Sequence, residues 1–319
     1  MRLGLVVLMV SGFLANAQTV TQVFGSGAYS FSMEFVTISN PNNLADTAGT
    51  PNPAGSVPYI YNLGKYEVSR DMVLKASTAG GLGLTLADMT DRGGNGADKP
   101  AAGISWNQAA RFVNWLNASK GFAPAYNFST SGANDHISVW ATGQHIDNNR
   151  FRHKAAYYFL PTIDEWYKGA YFDPNKNGGL GGYWLYPTRS NDAPAYSSGG
   201  TVANTAIYGG QIGPADIYNA GGLSAYGTMG QGGNVWEWME TANDLFNDVP
   251  DELRTFRGGA FDNINTDTYQ QAIFNSFGHQ PNDQNLINGF RVAMIPEPSS
   301  LSLLLAGGAV LMASRCRRD

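Results

Sequence analysis

The chain has 319 residues, 43% hydrophobic but only 14% charged, with 39 glycines; it can fill a large core and leaves much of its surface as uncharged loop. That composition excludes a disordered chain, a helical bundle and a coiled coil. The net charge is −5, and the single cysteine, Cys316, excludes a disulfide framework, a thiolate zinc site and any chemistry that needs a cysteine pair.

Met1-Arg2, the apolar run Leu3 to Leu14 and the small-x-small end Ala15-Asn16-Ala17 predict a signal peptide over 1–17, cut by signal peptidase before Gln18. Residues 40–58, rich in Asn and Pro, read as an irregular loop. Tyr59-Ile60-Tyr61 and Lys65-Tyr66-Glu67-Val68 read as short strands. Gly80-Gly81-Leu82-Gly83 lacks the preceding strand and the spacing of a nucleotide loop. Ser105 through Gln108 forms a capping box, and Trp106, Ala109, Ala110, Val113 and Leu116 then recur at helical spacing as far as Gly121. Phe128 to Arg152 reads as an Asn- and Gly-rich insertion on the surface. A second capping box, Thr162 to Glu165, opens a helix that ends at Asp173-Pro174. Asp173 to Gly178 starts like an EF-hand loop, but its twelfth position is Trp184, so a turn is expected there. No repeat and no alternating βαβ pattern occurs, and the fold class is α+β with abundant coil.

Pro296-Glu297-Pro298, the apolar stretch Ser299 to Ser314 and then Arg315-Cys316-Arg317-Arg318 have the form of a stop-transfer segment with a basic end. The three parts closely resemble the PEP-CTERM sorting signal of Gram-negative envelope proteins. The resemblance implies recognition of Pro296, Glu297 and Pro298 by an exosortase, with the chain held transiently in the inner membrane through this tail. Residues 18–295 then form the domain and 296–319 the sorting segment. The domain carries 16 Lys+Arg and 23 Asp+Glu, four basic and two acidic groups fewer than the whole chain. Its basic groups are scattered, so no nucleic-acid partner is expected.

Six ordered motifs lie in that domain: Tyr66-Glu67-Val68-Ser69; Ile104 to Ala109 with Trp115-Leu116-Asn117; Leu160 to Trp166; Gly233-Asn234-Val235-Trp236-Glu237-Trp238; Arg257 to Phe261; and Gly289-Phe290-Arg291-Val292-Ala293. In this order they resemble the formylglycine-generating enzyme, or sulfatase-modifying factor, family. The resemblance implies a single C-type-lectin-like α+β domain with little regular structure, often stabilised by calcium. Catalytic members bind copper(I) through two cysteines after the Arg-Gly-Gly motif, and the matching positions here are Asn263 and Thr268. An amide and a hydroxyl are hard donors and do not replace thiolates on copper(I), so no copper and no formylglycine oxidation are expected.

For calcium, the resemblance implies a first set made by Asn204, Thr205, Asp216 and Tyr218. It implies a second made by Gly233, Val235 and Glu237, in which Gly230 has no side chain to offer. The alternative for Glu237 is an ion pair with an arginine such as Arg257 or Arg291. Iron enzymes of the family take histidine ligands, and His136, His145 and His153 lie near Asp135 and Asp147, which keeps an iron-dependent oxidoreductase as the rival function. Trp236 and Trp238 read as core, whereas Tyr183, Trp184 and Tyr186 in a Gly-rich segment are candidates for contact with a glycan or peptide ligand. The function expected is an exported cell-envelope protein whose domain is a binding or structural module.

Overall fold

The computed structural model describes residues 18–130, 132, 135–264, 268–274 and 277–296. The expected signal peptide, Glu297, Pro298, the apolar stretch and Cys316 lie outside the described residues. In the first half of the chain come β1 (Thr19–Phe24), β2 (Phe31–Ile38), β3 (Tyr61–Gly64), α1 (Arg70–Gly80) and α2 (Trp106–Ser119). The insertion folds as two hairpins, β4 (Asn127–Phe128) with β5 (Ile137–Ser138) and β6 (His145–Ile146) with β7 (Asn149–His153). Then follow β8 (Tyr158–Phe159), α3 (Ile163–Tyr171), β9 (Phe172–Asp173), β10 (Gly182–Tyr183), β11 (Ala195–Tyr196) and β12 (Thr205–Ala206). The last strands are β13 (Trp236–Ala242), β14 (Arg254–Arg257), β15 (Phe277–His279), β16 (Asn288–Phe290) and β17 (Ala293–Met294).

Two sheets frame the core. The first has the order β1-β2-β3-β17-β8 and is antiparallel throughout. The second has the order β15-β14-β13-β16, with β13 and β16 parallel. The α2 face predicted from periodicity is the buried one: Phe112 stacks on Phe31 at 6.2 Å and meets Phe290 edge-on at 5.5 Å. Trp106 and Trp238 seal the centre by donating their indole N–H groups to Met239 O (2.7 Å) and Ile104 O (2.9 Å), so each large ring is buried without an orphan donor. Trp236 is also buried, as expected of a core residue.

The local signals account for the helix ends. Thr162 Oγ1 accepts from Glu165 N, and the Glu165 carboxylate accepts from Thr162 N at 2.7 Å, a complete capping box. Ser105 caps α2 in the same way, but Gln108 reaches outward to Thr85 Oγ1 instead of back to the cap. Ser69 caps α1, a helix that the sequence reading passed over, and Gly81 ends it with φ near 61°. The Gly80–Gly83 run is therefore a helix terminus. Lys65–Val68 is not a strand as expected: it bends out of the sheet, and Glu67 turns inward to take two buried donors.

Candidate functional site

The sequence of β13 alternates Trp236, Glu237 and Trp238, and its neighbours place Glu237 opposite Arg257 on β14 and Gly289 on β16. Two residues beyond Gly289, Arg291 brings its guanidinium back to Glu237. Nε meets Oε2 and Nη2 meets Oε1, both at 2.5 Å, and both side chains are fully buried. The other Arg291 donors reach Gly64 O at 2.8 Å and Met229 O at 2.9 Å, while Trp166 Nε1 adds a third bond to Glu237 at 2.7 Å. Of the two partners anticipated for Glu237, the structure selects Arg291. Arg257 instead holds the loop before β3 to the 268–274 turn, bonding Thr50 O, Gln271 O and Ala272 O.

Glu67 lies on the other side of this pair. Its carboxyl accepts from Asn234 Nδ2 at 2.5 Å and Val235 N at 3.3 Å. Burial first, and the negative charge of Glu237 second, push its carboxyl well above the usual carboxylate range, against the pull of Arg291 and of the two donors it accepts from. A side chain at position 230 would point at that carboxyl, since a Cβ built on Gly230 lies 3.1 Å from it. In the second calcium set Gly230 offers no side chain, and the Glu67 carboxyl lies beside it. Glu237 has both oxygens on a guanidinium, and Glu67 fills the space of the missing donor.

The first set is assembled differently. Asn204 and Thr205 pack against Gly221 and Gly222, directly after the 3-10 turn Ile217–Asn219 that holds Tyr218 and is entered through Asp216. All four residues offer only oxygen, suited to a hard cation. Thr188 donates to Asn204 Oδ1 at 2.8 Å, and Lys99 Nζ stands 3.2 Å from the half-exposed Asp216 carboxylate.

At Asn263, which the resemblance aligns with the family's first cysteine, Oδ1 accepts from Ala260 N at 2.6 Å, and the carbonyl accepts from Gly209 N at 2.9 Å. The amide there ties a turn. Thr268, at the second position, is exposed and opens a 3-10 turn whose last residue, Gln270, is buried.

The aromatic candidates are spoken for by the fold. Tyr186, expected at the surface, is buried, and its oxygen accepts from Gln271 Nε2 at 2.8 Å. Tyr183 packs on Tyr167 and Phe172, and its hydroxyl reaches Leu44 O and Gly55 O. Trp184 lies under the Lys176 ammonium and donates to Asp173, which Arg189 also holds, so the EF-hand-like start is a structural turn. His145 and His153 face each other across the β6–β7 hairpin, but among the described residues no trio of donors that contains a histidine comes within 4.8 Å. His136 pairs with Asp251, His145 bonds Ile146 O, and His153 packs against Trp140. Among the described residues, the only trio of His, Cys, Asp or Glu donors within 4.8 Å of one another is Asp244, Asp248 and Glu252.

A cavity lies elsewhere, at the end of β13 remote from Trp236. It has a volume of about 670 Å³, between the β6–β7 hairpin, the 51–61 loop and the start of α3. On its floor Arg152 faces Glu240 at 3.4 Å and lies over the Phe159 ring, and the two carboxylates Glu240 and Glu165 hold the guanidinium firmly charged. Tyr59 closes one wall and donates to Glu165 at 2.8 Å. Sequence inspection missed this site because its walls come from four distant segments, and the one motif among them, Leu160 to Trp166, reads as a helix start. The only early sign was the insertion itself.

Residues 34–295 match the sulfatase-modifying factor enzyme 1-like domain family. Treponema denticola variable protein 1 overlays with a TM-score of 0.56 at 17% sequence identity, covering 87% of this chain and 99% of that one. PvdO from Pseudomonas aeruginosa overlays with a TM-score of 0.50 at 14% identity, covering 86% and 98%. These two likenesses concern the fold alone, a C-type-lectin-like α+β domain. No curated protein sequence matches the chain. Because the family match takes in β2 through β17 and all six motifs, the chain belongs to the sulfatase-modifying factor enzyme 1-like family.

Proposed function

We propose that this chain is an exported cell-envelope protein whose family domain is a binding or structural module and does not oxidise cysteine to formylglycine with copper. One observation carries the proposal: the sole thiol of the chain, Cys316, lies outside residues 34–295, which therefore hold no cysteine pair; by resemblance, Asn263 and Thr268 align with the copper thiolates of catalytic relatives. Copper(I) needs soft ligands, and these two side chains offer none. The full chain incubated with copper and a cysteine-containing sulfatase peptide is expected to give no aldehyde. Aldehyde in the peptide, seen by mass spectrometry, overturns the proposal.

The same proposal includes cleavage before Gln18, sorting through Pro296, Glu297 and Pro298, and inner-membrane anchoring through the apolar stretch after them. Among the described residues no helix is long and apolar enough to cross a membrane, and that stretch lies outside them. One calcium at Asn204, Thr205, Asp216 and Tyr218 completes it. When bound, the ion supplies a positive centre that joins the 204–205 and 216–218 segments, in place of the Lys99 contact to Asp216. Calcium is expected to raise the melting temperature, EDTA to reverse the rise and Asp216→Ala to abolish it. A melting temperature indifferent to both reagents removes the ion from the proposal.

A further inference from the structure

We propose that the 670 Å³ cavity beside the β6–β7 hairpin is a saccharide site that takes a neutral sugar residue against Tyr59. This inference rests on the binding-module proposal and names the ligand class and the place. The volume lies within the range of small-molecule sites. Its mouth offers flat apolar surface: Tyr59 is 42% and Ile60 43% exposed, with Pro58 beside them. Such faces match the C–H side of a sugar ring.

The charge of the lining decides against ionic ligands. Asp147, Asp164 and Glu240 stand against Arg152 and Lys154, close to balance. Arg152, the one buried cation of the lining, stands beside Glu240 and feels the charge of Glu165, so the floor offers a phosphate or polyanion no net positive charge and the exposed Lys154 is the remaining cation of the lining. Asn148 is an exposed amide that both donates and accepts, and the half-exposed Thr162 hydroxyl and Asn247 amide, whose oxygens already accept from the fold, have N–H or O–H groups to donate, a pattern that hydroxyls complement.

A peptide is disfavoured by the walls. Extended peptides bind by adding a strand to a free edge. Here β7 pairs with β6, and Arg152 and Asn149 also bridge to Tyr126 and Asn247. The opposite wall contains Pro51, Pro53 and Pro58, which have no N–H to give.

The test uses the full chain in detergent on an array of neutral hexose and N-acetylhexosamine oligosaccharides, with uronic-acid and sulfated glycans and unmodified peptides alongside. Binding to neutral oligosaccharides is expected, weakened roughly tenfold by Tyr59→Ala, about 1.4 kcal/mol, through loss of the ring. Tyr59→Phe is expected to bind as the parent does, because the hydroxyl faces Glu165 rather than the cavity. Asn148→Ala, at an exposed position, is expected to weaken binding without moving the melting temperature. Binding confined to peptides or to anionic glycans overturns the inference, as does neutral-sugar binding untouched by Tyr59→Ala and Asn148→Ala. No binding on any feature of the array also overturns it. Aldehyde formation with copper is read separately and strikes only the proposal on which this one rests.

Discussion

Arg291 serves Glu237 as a fixed internal cation, and the pair behaves as one unit. Removing one member leaves a charge in a fully buried site, which costs about 3–5 kcal/mol. Arg291→Leu is expected to lower the denaturant midpoint by that amount, and a loss under about 1 kcal/mol would contradict the assigned role. Glu252 gives a pH signature. Burial, with Asp244 and Asp248 nearby, pushes its carboxyl up to about 7, against the opposing pull of Arg254. The folded state then binds its proton more tightly than the unfolded chain does, so this group's contribution to stability declines as pH rises from about 4.5 to 7. Glu252→Gln is expected to flatten that slope in melting curves taken across the window, and an unchanged slope would reassign it to other groups. The two alternatives for Glu237 were visible in its motif, because an acid between two tryptophans requires a partner. The role of Glu67 was not, since Asn234 stands 167 residues away and only the fold brings them together.

Elements were legible where their instructions are local. Each capping box lies within four residues, so the starts of α2 and α3 could be placed before any tertiary contact was known. Thr162→Ala removes one half of the complete box and is expected to cost about 1 kcal/mol, measured by chemical denaturation. No loss would mean that Glu165 is held by its Tyr59 and Tyr61 contacts alone. The segment Lys65–Val68 looked like a strand because it alternates, yet the buried donors at Asn234 and Val235 draw Glu67 out of register, a demand set by a distant loop. The Gly-rich run Gly178 to Gly182 suggested exposed tyrosines. Glycines there instead let the chain fold tightly enough to pack Tyr183, half-buried, against Tyr167 and Phe172.

At the scale of the molecule, the family and its fold were readable from six ordered motifs, whereas the cavity was not, because the 51–61 loop, the hairpin, the α3 start and the end of β13 meet only in three dimensions. The sheet order carries a last consequence, for time rather than space. Ala293 pairs with Leu63 on one side and Phe159 on the other, so β17, the last strand of the described residues, is an interior one. Until residue 293 is made, β3 and β8 lack the strand that joins them in the folded sheet. Assembly must wait for nearly the whole domain, which favours a chain kept extended until late and then closed in one step.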